Sequence, residues 1–186
     1  MPFEPTATRL WKRLTPQERL SAATHFWSEP PQEVAIAAIA AIVKARRLRP
    51  QVARSLPLEA RSRALASVLD PGESLAAALL VALHLGERRP LLAAFLDDLG
   101  LPHEDGILTD EADRRPAPSA NAARGAVRTL VPSFPPRDVG VYLNTLWLQD
   151  PDRWAALEAA SDALPPQAEE GSVASPPSSR EGSSSQ

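Results

Sequence analysis

The segment "LGLPHEDG", residues 99–106, groups a histidine with two carboxylates, which are side chains that bind divalent cations or transfer protons. His103, Glu104 and Asp105 are consecutive there. Helical zinc sites usually place ligands at i and i+4, and calcium loops alternate oxygen ligands around a fixed glycine, but neither spacing occurs. A proline before the polar residues and a glycine after them are typical of a turn. We therefore interpret the segment as a turn between helices, and a metal-dependent enzyme that uses His103 is our second alternative function.

Two further histidines could serve as acids or bases, because burial can tune an imidazole. His84 lies in the apolar context "ALHLGE", and His25 precedes Phe26 and Trp27. Neither lies beside a recognisable nucleophile elbow. A single histidine near the end of a helix is typical of a structural residue that interacts with the last carbonyls. We predict no catalytic residue and no cofactor, and the chain is more readily explained as a protein that is not an enzyme.

The main functional signal is an arginine-rich stretch, residues 44–63, which contains one acidic residue, Glu59. Its cations are Lys44, Arg46, Arg47, Arg49, Arg54, Arg61 and Arg63. Arginine forms paired hydrogen bonds with carboxylates and phosphates, so the stretch could bind an acidic protein or, without sequence specificity, RNA or DNA. No aromatic residue is interleaved to stack on bases, and no helix-turn-helix signature is present. We predict a protein partner, with a nucleic-acid-binding accessory protein as the first alternative and an unpartnered solvated face as the remaining interpretation.

A second segment, residues 97–113, has the opposite charge. It contains seven acids and no lysine or arginine, namely Asp97, Asp98, Glu104, Asp105, Asp110, Glu111 and Asp113. The two segments could face each other within the fold, meet between copies in a head-to-tail homo-oligomer, or bind separate partners. The sequence leaves these three arrangements open.

Composition excludes several classes of protein. The chain has no cysteine, which excludes a disulfide framework, a thiolate nucleophile and a cysteine-ligated zinc. The net charge of −3 gives no general attraction to nucleic acid or anionic membranes. The most apolar run, residues 74–86, is shorter than the roughly 20 residues that span a bilayer. Because the N-terminal residues also lack the pattern of a secretory signal, we expect no membrane association and a cytoplasmic location.

Helix is the favoured structure almost everywhere, because alanine and leucine dominate and no alternating apolar run has the length of a strand. The segments "TPQE" at Thr15, "DPGE" at Asp70 and "DPDRW" at Asp150 each predict a helix start, with a capping residue followed by proline. The predicted helices cover residues 7–14, 16–27, 32–47, 50–56, 57–69, 73–85, 90–99, 120–131, 136–148 and 151–164.

A weak internal repeat is present in the apolar pattern. Pro50 aligns with Pro90 at an offset of 40 residues, and Phe95 aligns with Tyr142 at an offset of 47. These offsets resemble those of two-helix HEAT repeats, in which stacked hairpins bury each other's apolar faces. The resemblance is one of period and pattern alone, so the alternative is an irregular helical bundle.

The sequence therefore predicts an all-α fold of antiparallel helix hairpins, either a short HEAT-like stack or an irregular bundle. Residues 1–164 form one domain with a polar surface loop near 108–121, and residues 165–186, rich in proline, serine and glycine, are predicted to be disordered. The predicted function is that of a non-catalytic, intracellular protein-interaction module.

Overall fold

The computed structural model describes residues 3–28 and 30–165, and most of these residues are helical. The described helices are α1 Ala7–Arg13, α2 Pro16–Phe26, α3 Gln32–Arg46, α4 Pro50–Ser55, α5 Leu58–Ala66, α6 Glu73–Glu87, α7 Arg89–Asp98, α8 Asp110–Asp113, α9 Ala120–Leu130, α10 Pro136–Gln149 and α11 Ala156–Ala160. A 3-10 turn follows at Ser161–Ala163, and two short strands, β1 His103–Glu104 and β2 Ile107–Leu108, form one hairpin. The all-α prediction is confirmed. The predicted tail lies outside the described residues, except for its first residue.

The start of α2 confirms one predicted cap. The Thr15 hydroxyl accepts a hydrogen bond from the Glu18 amide at 3.2 Å, and the Glu18 carboxylate accepts one from the Thr15 amide at 2.6 Å. This reciprocal pair satisfies backbone donors that the first turn of a helix leaves free.

The cap predicted at Asp70 is wrong, because α6 begins at Glu73 after Gly72, which has φ +87° and supplies no side-chain cap. The Glu73 carboxylate instead accepts hydrogen bonds from the amides of Ala7 and Thr8 in the first turn of α1. The Thr8 hydroxyl donates to the same carboxylate at 3.0 Å. Glu73 therefore caps a helix that is remote in sequence, and a local pattern cannot predict that contact.

The last predicted helix, 151–164, is also too long. Asp150 accepts a hydrogen bond from the Arg153 amide at 3.0 Å, as a capping residue does, but residues 151–155 form turns. The described α-helix is confined to Ala156–Ala160 and ends in a 3-10 turn.

Two apolar clusters form the core. The first lies among helices α1 to α6, and its largest member is the fully buried Trp11, whose indole N–H donates to the Val68 carbonyl at 2.8 Å. The second lies among α7, α9, α10 and α11 around Phe95 and the buried Trp154. Helices α6 and α10 pack on each other and so connect the two clusters.

The packing does not support a HEAT-like repeat. The offsets of 40 and 47 residues would make α3 with α4, α6 with α7 and α9 with α10 equivalent hairpins. Instead, α6 packs mainly against α2 and α1, whereas α9 packs mainly against α11 and α7. The described helices therefore form an irregular bundle.

The predicted surface loop near 108–121 contains a short helix that the sequence analysis missed, α8. Its Ala112 is fully buried, and Arg153 holds it by donating to the Ala112 carbonyl at 2.7 Å and to Asp113 at 3.0 Å. Residues 113–117 are exposed, so the middle of the segment behaves as predicted.

A partly buried ion cluster joins the ends of four helices. The Arg88 guanidinium lies between α6 and α7 and donates to Glu18 at 2.8 Å and to Asp138 at 2.8 Å. Arg137 donates to the other oxygen of Glu18 at 3.1 Å. Burial raises the pKa of Glu18, but hydrogen bonds from Arg137, the Thr15 amide and Arg88 outweigh it and lower that pKa to about 2. The cluster fixes the N-termini of α2 and α10 against the α6–α7 junction.

None of the described helices combines the length and the apolar character needed to cross a membrane.

Candidate functional site

The segment that contains His103 is a β-hairpin with a two-residue turn. Asp105 has φ +50° and Gly106 has φ +82°, and His103 pairs with Leu108 across the ladder. Positive φ at both central residues is the pattern of a type I′ turn, for which Asp-Gly is a preferred sequence. The turn interpretation is confirmed, and the Asp-Gly pair is the signal that could have predicted the hairpin.

The hairpin and its neighbours occupy both ring nitrogens of His103. Nδ1 accepts a hydrogen bond from the Gly106 amide at 3.2 Å, so the ring proton lies on Nε2 and points to Asp97 at 3.1 Å. Arg89 holds the turn through Asp105 at 2.7 Å. Among residues 3–28 and 30–165, no group of three or more histidines and acids is arranged to hold a metal ion. These contacts give His103 a structural role in the hairpin.

Replacing His103 with alanine is expected to lower the free energy of unfolding by about 1 kcal/mol, because it removes two partly exposed hydrogen bonds. Chemical denaturation measures this change. Calorimetric titration with zinc, manganese and calcium is expected to give no stoichiometric binding. A micromolar site that His103→Ala abolishes would contradict the structural role.

The structure places six of the seven predicted cations on the exposed surface of α3, α4, α5 and their connections. These six are Lys44, Arg46, Arg47, Arg49, Arg54 and Arg63. Arg47 ends α3 in the left-handed region with φ +54°, and Arg49 directly precedes α4. Since α3 packs against both α4 and α5, the six side chains belong to one three-helix unit.

Few local partners hold these cations. Arg63 pairs with Glu59 at 2.9 Å, and Arg46 donates to the Ser67 hydroxyl at 3.2 Å. Within the described part of the chain, the other four lie beyond salt-bridge distance of any carboxylate. Carboxylates of residues 3–28 and 30–165 therefore do not neutralise these four charges.

The seventh cation, Arg61, is placed differently. Its guanidinium stacks on the Trp27 ring at 4.3 Å from the ring centroid, and its side chain is half-buried. Stacking of this kind is a cation–π contact. Arg61 therefore covers one face of the Trp27 ring, and that face is not free to stack on a nucleic-acid base.

Large apolar side chains are exposed on the same three helices. Ile36 of α3 is 57% exposed, Val52 of α4 is 45% exposed and Leu58 of α5 is 49% exposed. Ala38 and Ile42 are the two residues of α3 that are buried, out of 15. We call the six exposed cations together with Ile36, Val52 and Leu58 the α3–α5 surface.

The apolar part of the α3–α5 surface was missed in the sequence analysis. The sequence of α3 is apolar on every side between Val34 and Val43, which in a folded domain is typical of a buried helix. In the sequence, a helix that is apolar on every side and is followed by a cluster of arginines is the signal that could have predicted exposed apolar residues on α3.

The acidic segment does not face the α3–α5 surface within the described structure, where no salt bridge joins the two. Three of its seven acids pair instead with arginines of their own region, through Arg89 to Asp105, Arg115 to Glu111 and Arg153 to Asp113. The sequence left three arrangements of the two charged segments open. The described residues do not show one of them, a contact between the segments within the fold.

His84 lies in the last turn of α6, as expected, and its ring is buried in the interior. It is 2% exposed, and its Nε2 lies 3.0 Å from the hydroxyl of Thr145 in α10. That hydroxyl donates to the Val141 carbonyl at 2.8 Å, so it accepts from Nε2–H and the ring is the Nε2 tautomer. Burial, and after it the charge of Arg88, lowers the pKa of His84 to about 3. The imidazole is therefore neutral at physiological pH.

A cavity of about 260 Å³ adjoins His84 between α6, α7, the β-hairpin and α10. Its walls are mostly leucine, valine and isoleucine, and none of its lining residues is an acid, a lysine or an arginine. The Nδ1 atom of His84 has no hydrogen-bond partner in the described structure and is covered from solvent.

No protein-family model, no curated protein and no solved structure matches the chain significantly. A function must therefore be argued from the geometry of the α3–α5 surface and the cavity.

Proposed function

We propose that the chain is a non-catalytic, cytoplasmic protein-interaction module that binds an acidic protein partner on the α3–α5 surface. The observation that carries this proposal is the exposure of Ile36 on α3, a helix whose other large apolar residues pack on the core and which ends in a cluster of exposed cations. A face with both features is suited to a partner that buries apolar side chains and supplies carboxylates.

Charge favours an acidic partner. Residues 44–63 carry seven cations and one acid, a balance of +6, whereas the whole chain has a net charge of −3. The remainder of the chain is therefore at −9, and the positive field is concentrated on one part of the molecule. Such a field orients an acidic partner during its approach and repels cationic surfaces.

The apolar side chains favour a protein over a nucleic acid. A phosphate backbone binds through charge, and single-stranded bases stack on exposed aromatic rings. The α3–α5 surface presents aliphatic side chains instead, and one face of Trp27 beside it is covered by Arg61. Ile36, Val52 and Leu58 are suited to act as apolar anchors for a protein partner.

A triple charge reversal tests the proposal. Arg46→Glu, Arg47→Glu and Arg49→Glu together are expected to reduce the partner retained from a nuclease-treated native extract at least about tenfold, because attraction becomes repulsion at three contacts. Helix content should not change, since the three side chains are exposed. Circular dichroism checks this.

The matched control reverses three exposed arginines outside the α3–α5 surface, Arg114, Arg115 and Arg128, and changes the net charge by the same amount. This control is expected to retain the partner. Equal retention by the triple variant at physiological salt would show that the α3–α5 surface is only solvated. Binding that nuclease treatment removes, with a steep log-linear dependence on salt, would favour nucleic acid instead.

A further inference from the structure

We infer that the cavity between α6, α7, the β-hairpin and α10 is a binding site for an uncharged, largely apolar small molecule about the size of an indole ring. This inference is independent of the α3–α5 surface, because the two share no residue.

The volume and the lining of the cavity set the class of ligand. A dry cavity of about 150 Å³ accepts benzene in another protein, so 260 Å³ is suited to a two-ring molecule or an aliphatic chain of similar volume. The walls are formed mainly by Val81, Leu85, Leu92, Leu96, Leu108 and Leu146. These side chains favour a ligand that buries apolar surface.

Water is a poor occupant of this cavity, because a buried water needs two to four polar partners. The Thr145 hydroxyl already donates to Val141 and accepts from His84 Nε2, so these two polar atoms of the inner wall are paired and His84 Nδ1 is left without a partner in the described structure. A cavity of this size with such walls is therefore better suited to an apolar occupant.

Charge excludes ionic ligands. No acid, lysine or arginine lines the cavity, and His84 is neutral at physiological pH. An ion placed there would lose its hydration without gaining a counter-charge. The uncharged form of a molecule is therefore expected to bind in preference to a charged analogue.

The entrance lies beside the hairpin. Ile107, 46% exposed, and Gln149, also exposed, line the cavity and reach solvent, whereas Leu92 and Leu96 are buried. Gly106 packs directly on α7, where an added Cβ would lie 2.6 Å from the Leu92 side chain. The hairpin is thus a close-fitting wall of the cavity.

Calorimetric titration of the full chain with indole, and with indole-3-carboxylate as the charged analogue, tests the inference. Indole is expected to bind with a dissociation constant below about 1 mM and at least about tenfold more tightly than the carboxylate. Val81→Trp, which fills the cavity from the half-buried face of α6, is expected to abolish binding. Leu108→Trp, which fills it from the hairpin, provides a second variant should Val81→Trp fail to fold.

Leu69→Trp is the matched control, because Leu69 is 51% exposed and does not line the cavity. This variant is expected to bind indole like the original chain. Absence of indole binding at millimolar concentration, equal binding of the two analogues, or unchanged binding in a folded cavity-filling variant would overturn the inference.

Discussion

Replacing Arg88 with methionine is expected to lower the free energy of unfolding by about 3 kcal/mol. Arg88 is 9% exposed and donates to both Glu18 and Asp138 at 2.8 Å. Its removal leaves two partly buried carboxylates without their shared cation, and such a charge is more costly to leave unpaired than one in an exposed salt bridge. Glu18 keeps its contacts to Arg137 and to the Thr15 amide. The expected loss of free energy of unfolding therefore lies at the lower end of the range that is usual when one partner of a buried ion pair is removed.

The adjacent arginine supplies the control. Arg89 pairs with Asp105, a carboxylate that is 70% exposed, so Arg89→Met is expected to cost less than about 1 kcal/mol. Adding Glu18→Gln and Asp138→Asn to Arg88→Met should recover part of the loss, because the uncompensated charges are then absent. Urea denaturation of these variants measures the differences. Equal losses for Arg88→Met and Arg89→Met would show that the ion cluster does not stabilise the helix junction.

Lowering the pH from 7 to 5 is expected to reduce the free energy of unfolding by about 2 kcal/mol through His84 alone. Its pKa is about 3 in the folded chain and near its ordinary value of 6.5 in the unfolded chain. At a pH between these two values, His84 binds a proton in the unfolded chain and not in the folded chain, so protonation favours unfolding. The contribution of His84 is therefore fully present above pH 6.5 and is lost as the pH falls towards 3.

The variant His84→Gln isolates this effect, because glutamine does not titrate. Between pH 7 and pH 5, the free energy of unfolding of this variant should fall by about 2 kcal/mol less than that of the original chain. Glu18, with its pKa lowered to about 2, adds a separate loss that begins only below its ordinary value of 4.5. Denaturation at pH 7, 6 and 5 tests the prediction, and an unchanged pH dependence in His84→Gln would contradict the buried, neutral histidine.

The sequence predicts those parts of the fold that depend on neighbouring residues. The capping box at Thr15 and the order of the helices follow from local pattern. Glu73 shows where this fails, because its carboxylate caps α1 across 66 residues instead of stabilising its own helix. The same reason explains why the contacts of Arg88 with Glu18 and of His84 with Thr145 could not be predicted, since each joins residues more than 60 positions apart.

The candidate sites also combine features that the sequence predicts with features that depend on tertiary packing. The arginine-rich stretch is visible in the sequence because its charges are consecutive. The exposure of Ile36 depends on which neighbours cover α3, which only the tertiary packing decides. The stacking of Arg61 on Trp27 likewise distinguishes it from the other six cations, although all seven look alike in the sequence.

Site-specific photo-cross-linking tests the α3–α5 surface most directly. The chain has no cysteine, so one introduced cysteine carries a photoreactive maleimide at a single known position. Ala40→Cys places it on the exposed face of α3, and Ala155→Cys places it on an exposed residue outside the α3–α5 surface. In native extract, we expect position 40 to cross-link to an acidic protein, position 155 not to do so, and the Arg46, Arg47 and Arg49 charge reversals to remove the product. A partner captured only from position 155, or a product at position 40 that survives the charge reversals, would contradict the proposed role of the α3–α5 surface.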